Sequence, residues 1–349
     1  MRKVVIGGTG ITPFGKFMES GIRPLAERAV ADALKDAAVE IGDVDMVFFG
    51  NAAGGLLTGQ ECVRGQVALR NTGLLGKPIV NVENACASSS TAFHLAHMAV
   101  ASGAAEVALA IGAEKMSNED RSKPIKALEA AADLEELEAL KARISPDGAG
   151  TGSVFMDLYS SVARDYMAAS GATAEDFARI SVKQRHAGAL NPIAQFRADV
   201  NLEEVLTSRM IADPITLMMC SSIGDGAAAL VVMSEAAAAK RNIQPVQILA
   251  CEIRSGQGDD PEALPVATAA SRAAFETAGL GPEDLSVVEL HDAAAPAELI
   301  LSEQLGLCAP GEAVALLHSG RTALGGAMPI NPSGGLISKG HPIGATGAA

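Results

Sequence analysis

The chain has 349 residues and a formal net charge of −14, which disfavours nucleic acid and anionic membrane surfaces as general binding partners. This length is enough for one large or two medium domains with a buried core. Only 3% of the residues are aromatic, whereas 48% are hydrophobic and 36 are glycine. We therefore expect an α/β protein with an aliphatic core and many tight strand–helix turns.

The five cysteines stand far apart and form no CxxC pair. An odd number at wide spacing indicates reduced thiols, and neither a disulfide framework nor a zinc site, so we expect no metal. The first residues lack the apolar core of a signal peptide, and no apolar run approaches the length of a membrane span. These features predict a cytoplasmic protein with no membrane span and no nucleic-acid partner.

The first predicted elements are a strand at residues 4–7, an amphipathic helix over 24–41 and a strand over 44–50. The glycines at 7–10 do not fit the GxGxxG spacing of a dinucleotide site. A similar helix and strand recur at 264–278 and 284–290, again followed by polar residues. Self-similarity at half-chain scale predicts a duplicated α/β domain.

Cys86 stands between a short β-like run at 79–82 and a helix of small residues that reaches about residue 101. A strand-to-helix turn places such a residue at the helix N-terminus, where a thiol should ionise more readily than a free one. Cys86 is therefore a candidate nucleophile. A buried cysteine that only packs is the alternative, and this stretch alone leaves both open.

Between residues 117 and 211 the pattern changes to helices predicted at 127–144, 154–169 and 174–189, with a glycine-rich loop at 145–152. We interpret this segment as an inserted lid region. It would separate the two parts of an N-terminal half, 1–116 and 212–240, and a C-terminal half would follow over 245–349.

Two histidines complete the candidate site. His291 ends the strand predicted over 284–290, and His341 lies in a glycine-bracketed turn. In a duplicated fold these positions fall at equivalent ends of the two central sheets, so they can converge with Cys86. His341 could deprotonate the thiol, and imidazoles suit the oxyanion that forms when a thiolate attacks a thioester. The set indicates acyl transfer, although either histidine alone is more often structural.

The sequence resembles the thiolase family, and within it the sterol-carrier-protein type, which includes lipid-transfer thiolases and acetyl-CoA acetyltransferases. The matching segments are 84–89, 112–117, 195–197, 224–228, 289–292, 331–335 and 340–347. They occur in the family's order and span nearly the whole chain.

This resemblance implies a five-layered α-β-α-β-α thiolase fold, a homodimer and a role in lipid metabolism. It implies that Cys86 takes the acyl group from acyl-CoA, that His341 activates Cys86, and that His291 holds a water that helps to stabilise an enolate. Coenzyme A would be a substrate and no cofactor would be bound permanently. Met116, Gly340 and Pro342 would line the coenzyme A pocket.

Two departures from the family pattern keep alternatives open. Ala293 stands where related thiolases carry a second, acid/base cysteine, and Ala294 replaces the usual aromatic residue. The sequence stops at Ala349, so the C-terminal half lacks the expected final helix and strands. One alternative is a decarboxylative Cys-His-His condensing enzyme. Another is a thiolase-like subunit that binds acyl-CoA and is either non-catalytic or dependent on a partner, such as a small OB-fold protein.

Overall fold

The computed structural model of the chain describes residues 2–144, 150–151, 153–258, 260 and 263–349. Most of the loop predicted over 145–152 therefore lies outside the described residues. The chain forms two compact units. The first unit comprises the residues up to Ala127, Ile223–Ile253 and His341–Ala349, and the second comprises Leu128–Ser222 and Arg254–Gly340. Among the described residues, no helix has both the length and the apolarity needed to cross a membrane.

The strands are β1 (Val4–Ile11), β2 (Met46–Gly50), β3 (Ile79–Val82), β4 (Val107–Lys115), β5 (Met210–Ala212), β6 (Ile215–Thr216), β7 (Asp225–Ser234) and β8 (Val246–Gln247). The α-helices are α1 (Ile22–Asp36), α2 (Gly54–Thr58), α3 (Arg64–Ala68), α4 (Ser88–Ser102), α5 (Ser122–Glu129), α6 (Leu137–Ile144), α7 (Val154–Ser170), α8 (Ala174–Leu190), α9 (Leu202–Thr207), α10 (Glu235–Ala238), α11 (Val266–Ala278), α12 (Pro296–Gln304), α13 (Ala313–His318) and α14 (Gly335–Ser338). Short 3₁₀ helices occupy Ile41–Asp43, Ala85–Ala87, Leu217–Met219, Pro282–Asp284 and Thr346–Ala348.

The first unit is built on a six-stranded mixed sheet with the order β3-β2-β4-β7-β1-β8. Strand β2 pairs in parallel with β3 and β4, whereas β7 runs antiparallel to β4 and β1. Helix α1 packs on one face and helix α4 on the other, and each face has its own apolar cluster. The central strand β4 is buried along nearly its whole length, as expected of a strand covered on both faces.

Glycines in β1 allow α1 to lie directly on the sheet. A Cβ at Gly8 would stand 2.4 Å from the backbone nitrogen of Ala37, and one at Gly10 would stand 2.1 Å from the carbonyl oxygen of Ala29. The glycines at 7–10 therefore lie inside a strand and serve helix packing. The prediction that they do not form a dinucleotide-binding turn agrees with this placement.

The second unit is mainly helical. Its principal apolar cluster is formed by residues of α7, α8, α9, α12 and α13 together with Ile215 of β6 and Met219. Phe177, Ile180, Ile215, Met219 and Leu299 are the large side chains at its centre. Helix α8 begins with a capping box, because Thr173 N–H donates to Asp176 over 2.8 Å and Asp176 N–H donates back to Thr173.

Three predicted elements differ in the structure. Helix α1 ends at Asp36 instead of residue 41, because Ala38 adopts a φ of 49° and closes a left-handed turn. The helix predicted over 127–144 is broken into α5 and α6, where Asp133 Oδ1 accepts a hydrogen bond from Glu135 N–H and competes with helical pairing.

The strand predicted over 284–290 is reduced to one parallel bridge between Val288 and Ile330. Prolines at 329 and 332 flank the partner segment and cannot donate ladder hydrogen bonds. The two sequence halves and the inserted lid region remain predictions. The two compact units divide the chain at other positions than those predicted boundaries.

Candidate active site

Cys86 lies at the strand-to-helix turn that the sequence predicts. It is the middle residue of the 3₁₀ turn Ala85–Ala87, which joins β3 to α4. Ala85 has a φ of 44°, a left-handed conformation that costs on the order of 1 kcal/mol for an alanine. The turn is held by Ala85 N–H, which donates to Glu83 Oε1 over 2.7 Å, and by the Ser88 hydroxyl, which donates to the carbonyl of Ala85 over 2.7 Å.

Small residues allow the N-terminus of α4 to sit tightly against the sheet. Ser88 and Ser89 are fully buried. A Cβ at Gly50 would stand 2.8 Å from the backbone of both serines, and a Cβ at Gly112 would stand 2.5 Å from Ser89 Cβ. The position of Cys86 is therefore fixed by backbone packing and does not rest on a flexible loop.

The thiol of Cys86 is not preionised in the free protein. Burial raises its pKa to about 11, and the nearby charge of Glu114 adds to this rise. The prediction that the helix terminus makes the thiol ionise readily is therefore wrong for this state. Desolvation outweighs the helix terminus, so the thiol needs a base at the moment of reaction.

His341 lies beside this thiol and is the predicted base. One of its ring nitrogens lies within 4.8 Å of Cys86 Sγ, and its backbone forms a parallel bridge with Ile223. Its Nδ1 lies 2.8 Å from Thr346 Oγ1, and that hydroxyl donates to the carbonyl of Pro342 over 3.0 Å. The hydroxyl therefore accepts from Nδ1–H, and this tautomer carries its lone pair on Nε2.

A buried carboxyl group, Glu114, supports the loop that follows His341. Gly344 N–H donates to Glu114 Oε2 over 3.1 Å, and Ala52 N–H and Ala53 N–H donate to the same oxygen. The Asn51 amide donates to Oε1 over 2.8 Å. Burial raises the pKa of Glu114 to about 7, although its four donors all suit the carboxylate form.

The predicted pocket residues lie in rigid surroundings. Met116 is buried, and its N–H donates to Asp225 Oδ1 over 2.8 Å. Asp225 also forms an ion pair with Lys115 at 2.7 Å, and these contacts lower the pKa of the Asp225 carboxyl despite its burial. Gly340 has a φ of 107°, a conformation that glycine adopts readily. Pro342 accepts hydrogen bonds from the turn that ends at Thr346.

His291 belongs to the second unit, where it follows the extended segment 284–290. Burial lowers the pKa of its imidazole, so the ring is neutral near pH 7. The next residue, Asp292, is fully buried, and its Oδ1 accepts from Leu336 N–H over 2.8 Å. Ala293 presents a methyl group at the position where the resemblance predicts a cysteine, and its carbonyl accepts from Ser221 N–H over 2.9 Å.

The other cysteines offer no obvious substitute for that missing thiol. Cys220 forms an antiparallel β-bridge with Ala294. Both Cys220 and Cys308 pack against the apolar cluster of the second unit. Burial raises the pKa of Cys220 to about 12 and those of Cys251 and Cys308 to about 11. Such thiols behave as small apolar side chains.

Comparison with known proteins decides the family. The family model described as "Thiolase, N-terminal domain" matches residues 4–236, and the one described as "Thiolase C-terminal domain-like" matches residues 254–349. The chain belongs to the thiolase family. The predicted thiolase fold and the predicted family are thereby confirmed.

Individual relatives refine this assignment. The thiolase is 38% identical to the benzoylsuccinyl-CoA thiolase subunit BbsB of Thauera aromatica, over 100% of this chain and 87% of that protein. It is 35% identical to sterol carrier protein 2 of Bos taurus, over 100% of this chain and 65% of that protein. The solved structure of the Ltp2–ChsH2(DUF35) aldolase is 28% identical with a TM-score of 0.79, and the match covers 99% of this chain and 87% of that one. The protein is thus a thiolase-type acyltransferase, and its whole length is similar to part of sterol carrier protein 2.

Sequence reasoning identified the chemical groups of this thiolase but missed the residues that hold them. Glu114, Asp292 and Thr346 lie inside the motifs at 112–117, 289–292 and 340–347, yet only the structure shows their hydrogen bonds. For Glu114, the acidic residue that ends the apolar run of β4 is a signal that could have indicated it, and Asp292 could have been indicated by its place directly after His291. For Thr346 the sequence offers no such signal.

Proposed function

We propose that the thiolase forms an acyl-Cys86 intermediate from an acyl-CoA, with His341 as the base and His291 as the group that stabilises the enolate of a second acyl-CoA. Met116, Gly340 and Pro342 would line the coenzyme A pocket. The observation that carries this proposal is the approach of a His341 ring nitrogen to within 4.8 Å of Cys86 Sγ. The Thr346 contact, which leaves the lone pair on Nε2, supports it.

The first half-reaction follows from these groups. As Sγ attacks the thioester carbonyl carbon, the thiol proton passes to Nε2 of His341. The bond between that carbon and the coenzyme A sulfur then breaks, and the imidazolium returns the proton to the departing thiolate. Because burial keeps Cys86 protonated, proton transfer must accompany the attack.

The second half-reaction joins or separates carbon atoms. In the condensing direction, the neutral His341, which has returned its proton to coenzyme A, would accept the α-proton of a second acyl-CoA. The enolate carbon then attacks the acyl carbon, the bond from that carbon to Sγ breaks, and the departing Cys86 thiolate takes the proton back from His341. The neutral imidazole of His291 suits hydrogen bonding to the enolate oxygen, directly or through a water. In the reverse direction the same groups would cleave a 3-ketoacyl-CoA. Ala293 supplies no acid or base, so it takes no part in moving the α-proton.

A partner protein would complete this second half-reaction in the alternative proposal. Two matches support it, because BbsB is named a thiolase subunit and the Ltp2 aldolase is a complex with a DUF35 protein. The alanines at 293 and 294 fit a site that is incomplete alone. We further propose that the chain is a cytoplasmic homodimer, with a small OB-fold protein as its possible additional partner.

Intact-protein mass spectrometry after incubation with acetyl-CoA tests the nucleophile. We expect a gain of one acetyl group on the wild type and none on Cys86→Ala. Cys62→Ala is the matched control, because Cys62 is exposed and its loss should leave the acetyl adduct unchanged. A folded wild-type protein without any adduct would contradict the proposed intermediate. Acetylation without turnover, restored by an added partner protein, would favour the partner-dependent alternative.

A further inference from the structure

Four buried polar side chains form a cluster at Gly335 in the second unit: Gln184, Asp292 and Asn331 face this glycine, and Glu298 is bonded to Gln184. Asp292 Oδ1 accepts from Leu336 N–H, in the first turn of α14. Gln184 Nε2 donates to Glu298 Oε2 over 2.9 Å. Asn331 Oδ1 accepts from Leu290 N–H over 2.8 Å. The cluster therefore joins the segment that carries His291 to α8, to α12 and to the start of α14.

Three atoms of this cluster lack a hydrogen-bond partner among the described residues: Asp292 Oδ2, Gln184 Oε1 and Asn331 Nδ2. They surround one small space. A Cβ at Gly335 would stand 2.4 Å from Asp292 Oδ2, 2.8 Å from Gln184 Oε1 and 2.9 Å from Asn331 Nδ2. Asn331 Nδ2 is a donor, whereas Gln184 Oε1 and an ionised Asp292 Oδ2 are both acceptors, and a buried polar atom left without a partner is costly.

The charges around the cluster also disfavour an ionised Asp292. Glu298 already has Lys183 as its ion-pair partner, and the Glu298 charge acts on Asp292 in the same direction as burial. Burial is the larger cause and the Glu298 charge the smaller one, and together they outweigh the opposing contacts with Leu336 and Gln184 and raise the pKa of Asp292 to about 7. A second cation, Lys339, is buried, and the negative charges of both Glu289 and Asp292 act on it. If Asp292 is neutral, the two positive groups, Lys183 and Lys339, are equal in number to the two negative groups, Glu298 and Glu289.

We propose that Asp292 is a neutral carboxylic acid whose Oδ2–H donates to Gln184 Oε1 while its Oδ1 accepts from Leu336 N–H. A single proton then satisfies both unpaired acceptors and places no new charge in the interior. Asp292 is in this view a positioning residue that fixes the adjacent His291, and the functional consequence rests on the role of His291 proposed above. Gly335 is required because any larger residue would press a Cβ against Asp292 Oδ2.

The test compares Asp292→Asn, Asp292→Ala and His291→Ala. Asparagine keeps an acceptor for Leu336 and supplies an uncharged N–H donor for Gln184, so we expect its kcat to stay within about threefold of the wild type. Asp292→Ala should lower kcat by about tenfold or more with little change in KM. Acetylation of Cys86 should be unaffected, because His291 is assigned to the second half-reaction.

Infrared spectroscopy at pH 6 gives a readout that does not depend on activity. The wild type should show a carboxylic-acid C=O band that Asp292→Asn lacks. Glu298→Gln is the matched control: it removes the partner of Lys183 and should lower the melting temperature, whereas Asp292→Asn should not. The proposal is overturned if Asp292→Asn is as impaired as Asp292→Ala, or if no acid band distinguishes it from the wild type. Normal turnover of His291→Ala would instead refute the role of His291, and the infrared comparison would still decide the protonation of Asp292.

Discussion

The N–H of Gly344 donates to Glu114 Oε2 over 3.1 Å and thereby ties the loop after His341 to strand β4. The same carboxyl group accepts from the loop that follows β2. Glu114 thus fixes the position of His341, the proposed base, relative to the sheet that leads into the Cys86 turn, although Glu114 is not assigned a chemical step.

We therefore expect Glu114→Gln to lower kcat by about tenfold, because an amide presents one acceptor where the carboxylate presents two. Steady-state kinetics with acetyl-CoA would measure this loss. The exposed Glu235, whose carboxylate lies 3.6 Å from Lys3, provides the control Glu235→Gln, which should behave as wild type. Unchanged kcat in Glu114→Gln would show that the loop holds its position without this contact.

Glu114 should also shape the dependence of stability on pH. Its pKa in the folded protein, about 7, lies above the ordinary value of 4.5, so the fold favours the protonated form. The stabilisation is complete below the unfolded value and is lost as the pH rises through about 7. The melting temperature should therefore fall less between pH 5 and pH 8 in Glu114→Gln than in the wild type. An equal or steeper fall in the variant would contradict the raised pKa.

Thr346 controls the tautomer of His341, since its hydroxyl accepts from Nδ1–H while donating to Pro342. Replacement by valine keeps the shape and removes the acceptor, so the imidazole loses the contact that places its lone pair on Nε2. We expect Thr346→Val to slow acetylation of Cys86 by about tenfold, measured by rapid-quench mass spectrometry. Thr346→Ser retains the hydroxyl and should stay close to the wild-type rate. Equal rates for the valine and serine variants would exclude this role of the hydroxyl.

The pH dependence of Cys86 alkylation should reveal a buried thiol. With a pKa of about 11, the thiolate is roughly one part in ten thousand at pH 7 and increases about tenfold with each pH unit. Iodoacetamide labelling of Cys86, followed in a Cys62→Ala background, should accelerate accordingly from pH 7 to pH 10. A rate that is already constant at neutral pH would mean that a thiolate exists before substrate binds.

The sequence predicts the position of each chemical group because local patterns determine those positions. A β-like run followed by small residues is sufficient to place Cys86 at a strand-to-helix turn, and glycines that bracket His341 indicate a tight turn. The pKa of Cys86 could not be predicted from local patterns, because it depends on burial by residues far away in the chain. Helix-terminus reasoning could not include the charge of Glu114, 28 positions later in the sequence.

The ends of helices and strands are also hard to predict from local sequence, because they too depend on residues far away in the chain. Helix α1 ends at Asp36 through a left-handed Ala38, whereas the sequence pattern predicted a helix that continues to residue 41. Tertiary packing selects that alanine conformation against its local preference. The segment 284–290 has the composition of a strand, yet pairing depends on a partner segment that prolines interrupt. Local propensity therefore predicted the kind of element better than its hydrogen-bonding partners.

The close packing of Gly50 against the backbone at the start of α4 gives a final prediction. A Cβ at Gly50 would stand 2.8 Å from the backbone of Ser88 and Ser89, closer than a real Cβ contact allows, so α4 would have to shift away from β2. We expect Gly50→Ala to destabilise the fold by about 1–3 kcal/mol and to slow acetylation of Cys86 beyond that loss. Chemical denaturation and the acetyl-CoA mass assay would measure the two effects on the same sample.

Gly42→Ala is the matched glycine control, since a Cβ there would meet nothing within 4 Å. Its unfolding free energy should change by no more than about 0.5 kcal/mol, and its acetylation rate should equal that of the wild type. If Gly50→Ala and Gly42→Ala acetylate at the same rate, then the position of Cys86 does not depend on the contact between β2 and α4. If only Gly50→Ala is slow while still folded, the strand fixes the nucleophile through that contact.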